Sequence, residues 1–294
     1  STWPVKIDLH VHSKNGSDGM WPLEQIFTEA ARRGLGLISI TDHDSLGGQQ
    51  EARQRARRHG IRYLTGVELN VTLVHDRWTA GKPASLDFLG YGIDIGNRPL
   101  NGKLDELRGY RKKRAEMILD NINGEFRKEG RALFTHHDMD AIEKSVDGSF
   151  GRPHIAGYLI EKGIVANKQE AFDRYLVKCD VPKMPFSLEE ASGLVRDAGG
   201  RLVIAHPNDP NGTSLAVLVR SLPEQADMIR DIILPFIDGI ECWHTRHDAK
   251  TSSFYREFVR EHALIATGGS DCHQQPVLMG SVDVPDCIAD QFGI

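Results

Sequence analysis

The chain has 294 residues, of which 40% are hydrophobic and 26% charged. That is the balance of one large or two smaller folded domains with a sizeable core. A formal net charge of -5 argues against nucleic acid as an obligate partner, and no apolar run is long enough to span a membrane. The amino end, Ser-Thr-Trp-Pro-Val-Lys-Ile, lacks the layout of a secretory leader. Cys179, Cys242, Cys272 and Cys287 form no C-x-x-C pair, so the expected setting is reducing and cytoplasmic.

Short apolar runs alternate with helical patterns over the first 95 or so residues. Lys6 to Val11 alternates apolar and polar residues at period two and predicts a strand. Leu23 to Arg33 has helical spacing and stops at Gly34. Leu35 to Ile40 is expected as a strand, Leu46 to His59 as a charged helix, Arg62 to Thr65 and Leu86 to Ile95 as further strands. This rhythm implies a parallel sheet with helical crossovers, barrel or open.

From about residue 97 to 190 the rhythm stops. Leu100 to Arg127 is a long amphipathic stretch whose expected apolar face is Leu104, Leu107, Met117, Ile118, Ile122 and Phe126. Helical segments follow at Asp138 to Lys144, His154 to Lys162 and Lys168 to Leu176, so a helical insertion between residues 1–96 and 191–294 is the expectation. Alternation then resumes: helix Leu188 to Ala198, strand Arg201 to Ala205, helix Leu215 to Ile233, strand Gly239 to Trp243, helix Ser252 to His262 and strand Leu264 to Thr267.

The 13 histidines are not evenly spread. His10 and His12 end the first strand; Asp42, His43 and Asp44 follow the second. Glu68 follows the strand through Leu64, and Asp87 lies in or beside the next. His206, then Glu241 and His244, then Asp271 and His273 mark the last three strands. In parallel α/β folds, carboxyl-terminal strand ends converge on one face. Residues i and i+2 of a strand point to the same side, so His10 and His12 can reach one ion, and Asp271 and His273 repeat the spacing. Mixed nitrogen and oxygen ligands suit zinc, manganese or iron. So many ligands exceed the needs of one ion, and a carboxylate such as Glu68 is required to bridge, implying two or three divalent ions. The remaining histidines, His59, His136, His137 and His262, are expected at the surface, with the roles of His75 and His247 open.

The motifs Asp8-Leu9-His10-Val11-His12-Ser13, Ser17-Asp18-Gly19, Thr41-Asp42-His43-Asp44 and Gly66-Val67-Glu68 resemble those of the PHP (polymerase and histidinol phosphatase) superfamily. So do Gly151-Arg152-Pro153-His154, Ala205-His206-Pro207 and Gly268-Gly269-Ser270-Asp271-Cys272-His273. Their order is similar to the stand-alone phosphoesterase branch that includes nucleoside (3',5'-bisphosphate) phosphatases. The resemblance implies a distorted (β/α)7 barrel with a helical insertion domain and a trinuclear site. It assigns His10, His12, Glu68 and Asp271 to one ion, Glu68 and His206 to a second, and Asp18, His43 and His273 to a third. Where many relatives have another histidine this chain has Asp87, an oxygen donor that would either favour manganese or iron over zinc or leave the second ion weak or absent. Arg152 and His154 match a motif that grips the substrate phosphate, a role for which a guanidinium is chemically suited. Arg114, with Arg111, is a further candidate contact, and His244 a candidate support for the metal ligands, substrate contact or proton donor.

The activity implied is hydrolysis of a small phosphomonoester, a nucleoside monophosphate or 3',5'-bisphosphate, by a metal-activated hydroxide, with the insertion as a cap. The rival readings are a histidinol phosphatase, a 3'-to-5' exonuclease, a non-catalytic metal-binding module and an amidohydrolase. The last typically adds a lysine bridge, and no lysine follows a strand at the right place.

Overall fold

The computed structural model describes residues 5–145 and 151–294. They fall into two units, residues 1–102 with 185–294, and residues 103–184. The first unit is mixed α/β. In chain order it runs β1 (Lys6–Val11), α1 (Leu23–Arg32), β2 (Leu35–Ile40), α2 (Gln49–Arg58), β3 (Arg62–Tyr63), β4 (Gly66–Leu73) and β5 (Ala84–Tyr91). The long helix α3 (Arg98–Glu129) then leads into the second unit, which holds α4 (His136–Ser145), α5 (Arg152–Glu161) and α6 (Lys168–Ala171), the last prolonged by a wide turn at Phe172–Leu176. The chain returns through α7 (Leu188–Asp197), β6 (Arg201–Ile204), α8 (Leu215–Leu218), α9 (Leu222–Met228), β7 (Gly239–His244), α10 (Ala249–Glu261) and β8 (Ile265–Gly269).

The strands pair as β1-β2-β3 and β4-β5-β6-β7-β8. Parallel pairing holds for β1–β2, β2–β3, β6–β7 and β7–β8, but β5 runs antiparallel to both β4 and β6. This corrects the expectation of an all-parallel sheet. The connection from Leu73 to Ala84 is too short for a crossover helix, so β4 and β5 must turn back on each other. It also moves Glu68 from a loop after a strand into β4 itself. Isolated parallel bridges join Val11 to Cys272 and His43 to Glu68, linking the ends of the two sheets.

The expected helix from Leu215 to Ile233 is broken at Val219, which is extended. Ser221 then accepts from the Glu224 N–H and Pro223 starts the next helix, a strong local start signal inside an apolar stretch. Beneath the first sheet, Leu23, Ile26, Phe27, Ile38, Ile40 and Met279 share one core. In the helical unit Ile118, Ile122, Phe126, Ile155, Leu159 and Tyr175 form another. Met117 is 44% exposed, contrary to expectation, because the buried stripe of α3 follows Ile118, Ile122 and Phe126 at i+4 and leaves its neighbour off the face.

Candidate metal centre

The ends of β1 and β8 are locked together. Asp8 is fully buried and accepts from Ser270 N (2.9 Å), Ser270 Oγ (2.6 Å) and Gly280 N (2.9 Å). Asp271 N–H donates to His10 O (2.7 Å) and His12 N–H to Cys272 O (3.0 Å). This approach needs glycine at 269, where any Cβ would lie 2.5 Å from the His10 Cβ and backbone nitrogen. His10, His12, Asp271 and His273 are thereby brought to one place from opposite ends of the chain. His206 and Asp271 both have left-handed backbones, φ 28° and 58°, a strained state that survives only where surroundings enforce it.

Glu68 is the hub. Its Oε2 lies 3.3 Å from Nε2 of both His10 and His206; its Oε1 lies 3.2 Å from His12 Nε2 and 3.4 Å from His43 Nδ1. Asp271 Oδ1 lies 3.2 Å from His10 Nε2 and 3.1 Å from His12 Nε2. Asp18 Oδ1 is 3.1 Å from His273 Nε2, and its Oδ2 is 3.6 Å from His43 Nε2. Asp87 Oδ2 is 3.9 Å from His206 Nε2. Four donor groups result: His10, His12, Glu68 and Asp271; His12, Asp18, His43 and His273; Glu68, Asp87 and His206; and, behind the first, His10, Glu241 and His244.

These donors fit divalent cations. Atoms bound at about 2.1 Å from one ion stand roughly 3.0 to 3.4 Å apart, near the spacings found here. The buried atoms His10 Nε2, His12 Nε2 and Glu68 Oε2 make no hydrogen bond among the described residues, and such atoms are costly unless a ligand satisfies them. Burial disfavours a charged His10, but Asp271, Glu241 and Glu68 outweigh it and raise its pKa well above the usual imidazole range. Burial likewise opposes a charged His206, yet Glu68, Asp271 and Asp87 raise it to about 9. Burial would raise Glu68 too, but His10 and His43 hold it well below the carboxylate range. Asp87 goes the other way, raised by burial and by Glu68. Without a cation, protons on His10, His12 and His206 balance the carboxylates, and a bound cation would take their place.

Other groups orient the donors. Glu241 is fully buried on β7; its Oε2 meets His10 Nδ1 at 2.8 Å and its Oε1 accepts from His206 N–H at 2.8 Å. One carboxylate thus fixes a ring and a strained backbone on different strands, leaving His10 Nε2 as the free donor. Ser214 Oγ meets His206 Nδ1. Asp42, inside a recognised motif, accepts from Ser13 N, Ser13 Oγ and Ser17 Oγ (2.7, 2.6 and 2.6 Å), shaping the loop that carries Asp18. Asp87 is steadied by Asn70 Nδ2 (2.9 Å) and by Thr213 Oγ1.

His244 is buried: its Nδ1 accepts Arg246 N–H at 3.0 Å and its Nε2 faces Asp271 Oδ2 at 3.2 Å. That tautomer makes it a brace for Asp271, the supporting role among those expected for it. Arg114 differs from expectation. Its side chain is 6% exposed, with Nε donating to Val181 O (2.6 Å) and Nη2 to Asp180 Oδ1 (2.7 Å), so its guanidinium is engaged inside the helical unit. Arg152 is 32% exposed; its Nη1 donates to Leu176 O (3.2 Å) and lies 3.4 Å from Asp180 Oδ2. His154 Nδ1 lies 3.0 Å from Gly151 N and 3.3 Å from Gly151 O, so that ring nitrogen is turned back onto the residue that caps the helix. His247 is structural: its Nε2 accepts Asn208 N–H, and burial lowers its pKa to about 4. His75 Nδ1 accepts Arg77 N–H in the β4–β5 turn.

Clustered histidines and carboxylates of this kind define a metal-dependent hydrolase. Residues 8–175 match the PHP domain family. The chain is 31% identical over 281 residues to the 3',5'-nucleoside bisphosphate phosphatase of Chromobacterium violaceum, covering 92% of this chain and 87% of that one. It is 28% identical over 279 residues to a 5'-3' exoribonuclease of Haemophilus influenzae, covering 91% and 90%. Its structure is similar, with a TM-score of 0.72 and 26% identity over 99% of this chain and 96% of the other, to a Bifidobacterium adolescentis protein assigned as a metal-dependent phosphoesterase. The chain belongs to the PHP family. It is a metal-dependent phosphoesterase, a hydrolase of phosphoric esters, and no helix among its described residues is long and apolar enough to cross a membrane.

Proposed function

We propose that the enzyme hydrolyses a small phosphomonoester, a nucleoside monophosphate or 3',5'-bisphosphate, at a centre of two or three divalent ions. The observation that carries this reading is Glu68, whose carboxylate lies within 3.4 Å of imidazole nitrogens from three donor groups, those of His10 and His12, of His206 and of His43, as a bridging carboxylate requires. His10, His12, Glu68 and Asp271 would hold one ion, Glu68, Asp87 and His206 a second, and Asp18, His43 and His273 a third. Asp87 in place of an imidazole favours manganese or iron. Such ions supply a nucleophile at neutral pH and neutralise charge on phosphoryl oxygens. In the same reading the sheets close as a distorted seven-stranded barrel, supported by the Val11–Cys272 and His43–Glu68 bridges, and the enzyme works in the cytoplasm, in keeping with four free cysteines.

The chain's own residues then bind and orient. Arg152 and His154 start the ten-residue helix α5, whose first turn favours an anion. Apart from Nη1, the Arg152 guanidinium makes no hydrogen bond among the described residues, leaving donors for phosphoryl oxygens. In this reading His154, two residues on, protonates the leaving oxygen, while His244 faces Asp271 and holds that carboxylate. The bisphosphate phosphatase relative supports a nucleotide substrate. The exoribonuclease relative supports a second reading, exonucleolytic cleavage of RNA in the 5'-to-3' direction.

Phosphate release from a panel of nucleotides, histidinol phosphate and a 5'-labelled oligoribonucleotide tests this. The expected result is manganese-stimulated release from nucleotides, lost to chelator. Stepwise shortening of RNA with no release from nucleotides would select the second reading, and no hydrolysis at all would leave a non-catalytic module.

A further inference from the structure

A cavity of about 300 Å3 opens in the first unit beside the Glu68 cluster. Six of the donor candidates line it, and Arg246 is the one arginine or lysine on its walls among the described residues. Arg246 is held from behind. Its Nη1 lies 3.0 and 3.3 Å from the two oxygens of Asp209, whose side chain is 2% exposed, while that of Arg246 is 53% exposed. Asp209 is fixed in turn by Asn211 N–H (2.9 Å) and by the His206 O to Asp209 N–H bond (3.1 Å). The Arg246 backbone is pinned through its N–H to His244 Nδ1. Its Nε and Nη2 make no hydrogen bond among the described residues.

A buried carboxylate must be paired, but a guanidinium held by one nitrogen keeps a pre-set pair of donors for another anion. The reacting phosphoryl group belongs with the ions. Arg246, half exposed on the wall of the same cavity, suits a second charged group.

We propose that Arg246, braced by Asp209, binds a second, non-reacting phosphate or carboxylate of the substrate, so that the enzyme prefers esters carrying two anionic groups over those carrying one. The proposal rests on the phosphomonoesterase reading and narrows its substrate class.

The test compares wild type with Arg246→Gln and Arg246→Lys, in which lysine still pairs with Asp209 and protects the fold, as thermal melting would check. Affinities for adenosine 3',5'-bisphosphate and AMP are measured by calorimetry in chelator, and kcat/KM with manganese; phosphoserine against phosphoethanolamine forms the carboxylate arm. The expected result is a wild-type preference for the doubly charged member of one pair or both, falling about 10- to 100-fold in each variant. A preference absent from wild type, or equal in all three proteins, would show that Arg246 only neutralises Asp209. A binding preference that vanishes in the variants, with no phosphate released from any ester, would sustain the subsite and overturn the phosphomonoesterase reading.

Discussion

The floor and the rim of the centre are built from the same residue types but differ in how they meet water. On the floor, the side chains of His10, His12 and Glu68 are at most 2% exposed. At the rim, Asp18, His43 and His273 are 36, 20 and 34% exposed. The floor is braced by Glu241 and Asp8, whereas the carboxylate of Asp18 is braced mainly by the rim imidazoles themselves and Ser17. Burial with bracing holds donors in a fixed geometry, whereas exposed donors can be reached by a ligand. One centre thus combines a fixed template with an open edge.

The sharpest way to break this comparison is at its hub. Glu68→Gln should strip ions from both sides and lower turnover by more than the roughly 10- to 100-fold typical of outer-shell changes; metal content by elemental analysis and a steady-state assay check both. Glu241→Gln removes the brace without removing a donor, so metal affinity should fall about 10- to 100-fold, with nitrogen NMR showing a changed tautomer at His10. Asp18→Asn should cost one ion equivalent and leave the floor loaded, an outcome visible by titrating metal against a fluorescent chelator.

The smallest effect is one of protons. His206 has its pKa raised to about 9 in the cation-free protein, burial opposing and Glu68 prevailing. At pH 7.5 the ring therefore carries a proton that a cation must displace. Metal affinity should rise from pH 6 to 9 and level off above, with proton release seen as a buffer-dependent heat in calorimetry. A pH-independent affinity would remove His206 from the donor set.

Much of this was legible in the sequence, for stated reasons. Lys6–Val11 and Leu35–Ile40 fall at their expected bounds because period-two alternation and a bounded apolar run are local signals. β4 was not legible: the local pattern ends a strand at Thr65, and only pairing with β5 carries a strand through Glu68 to Leu73. The donor residues could be picked out because histidines and carboxylates at strand ends stand against an apolar background. Their bracing could not. Glu241 lies 231 residues from His10 and Asp209 lies 37 from Arg246, and no local pattern encodes such pairs. The partners of Arg114 and His244 were hidden for the same reason, since residue type shows what a side chain can do and not what it already holds.

The central claim is that Glu68 bridges cations. Crystals soaked in manganese and measured at a wavelength where manganese scatters anomalously test it most directly. The account predicts strong peaks on both sides of the Glu68 carboxylate, one toward His10, His12 and Asp271 and one toward His206 and Asp87. A single peak touching neither Glu68 oxygen, or none within reach of these side chains, would contradict it.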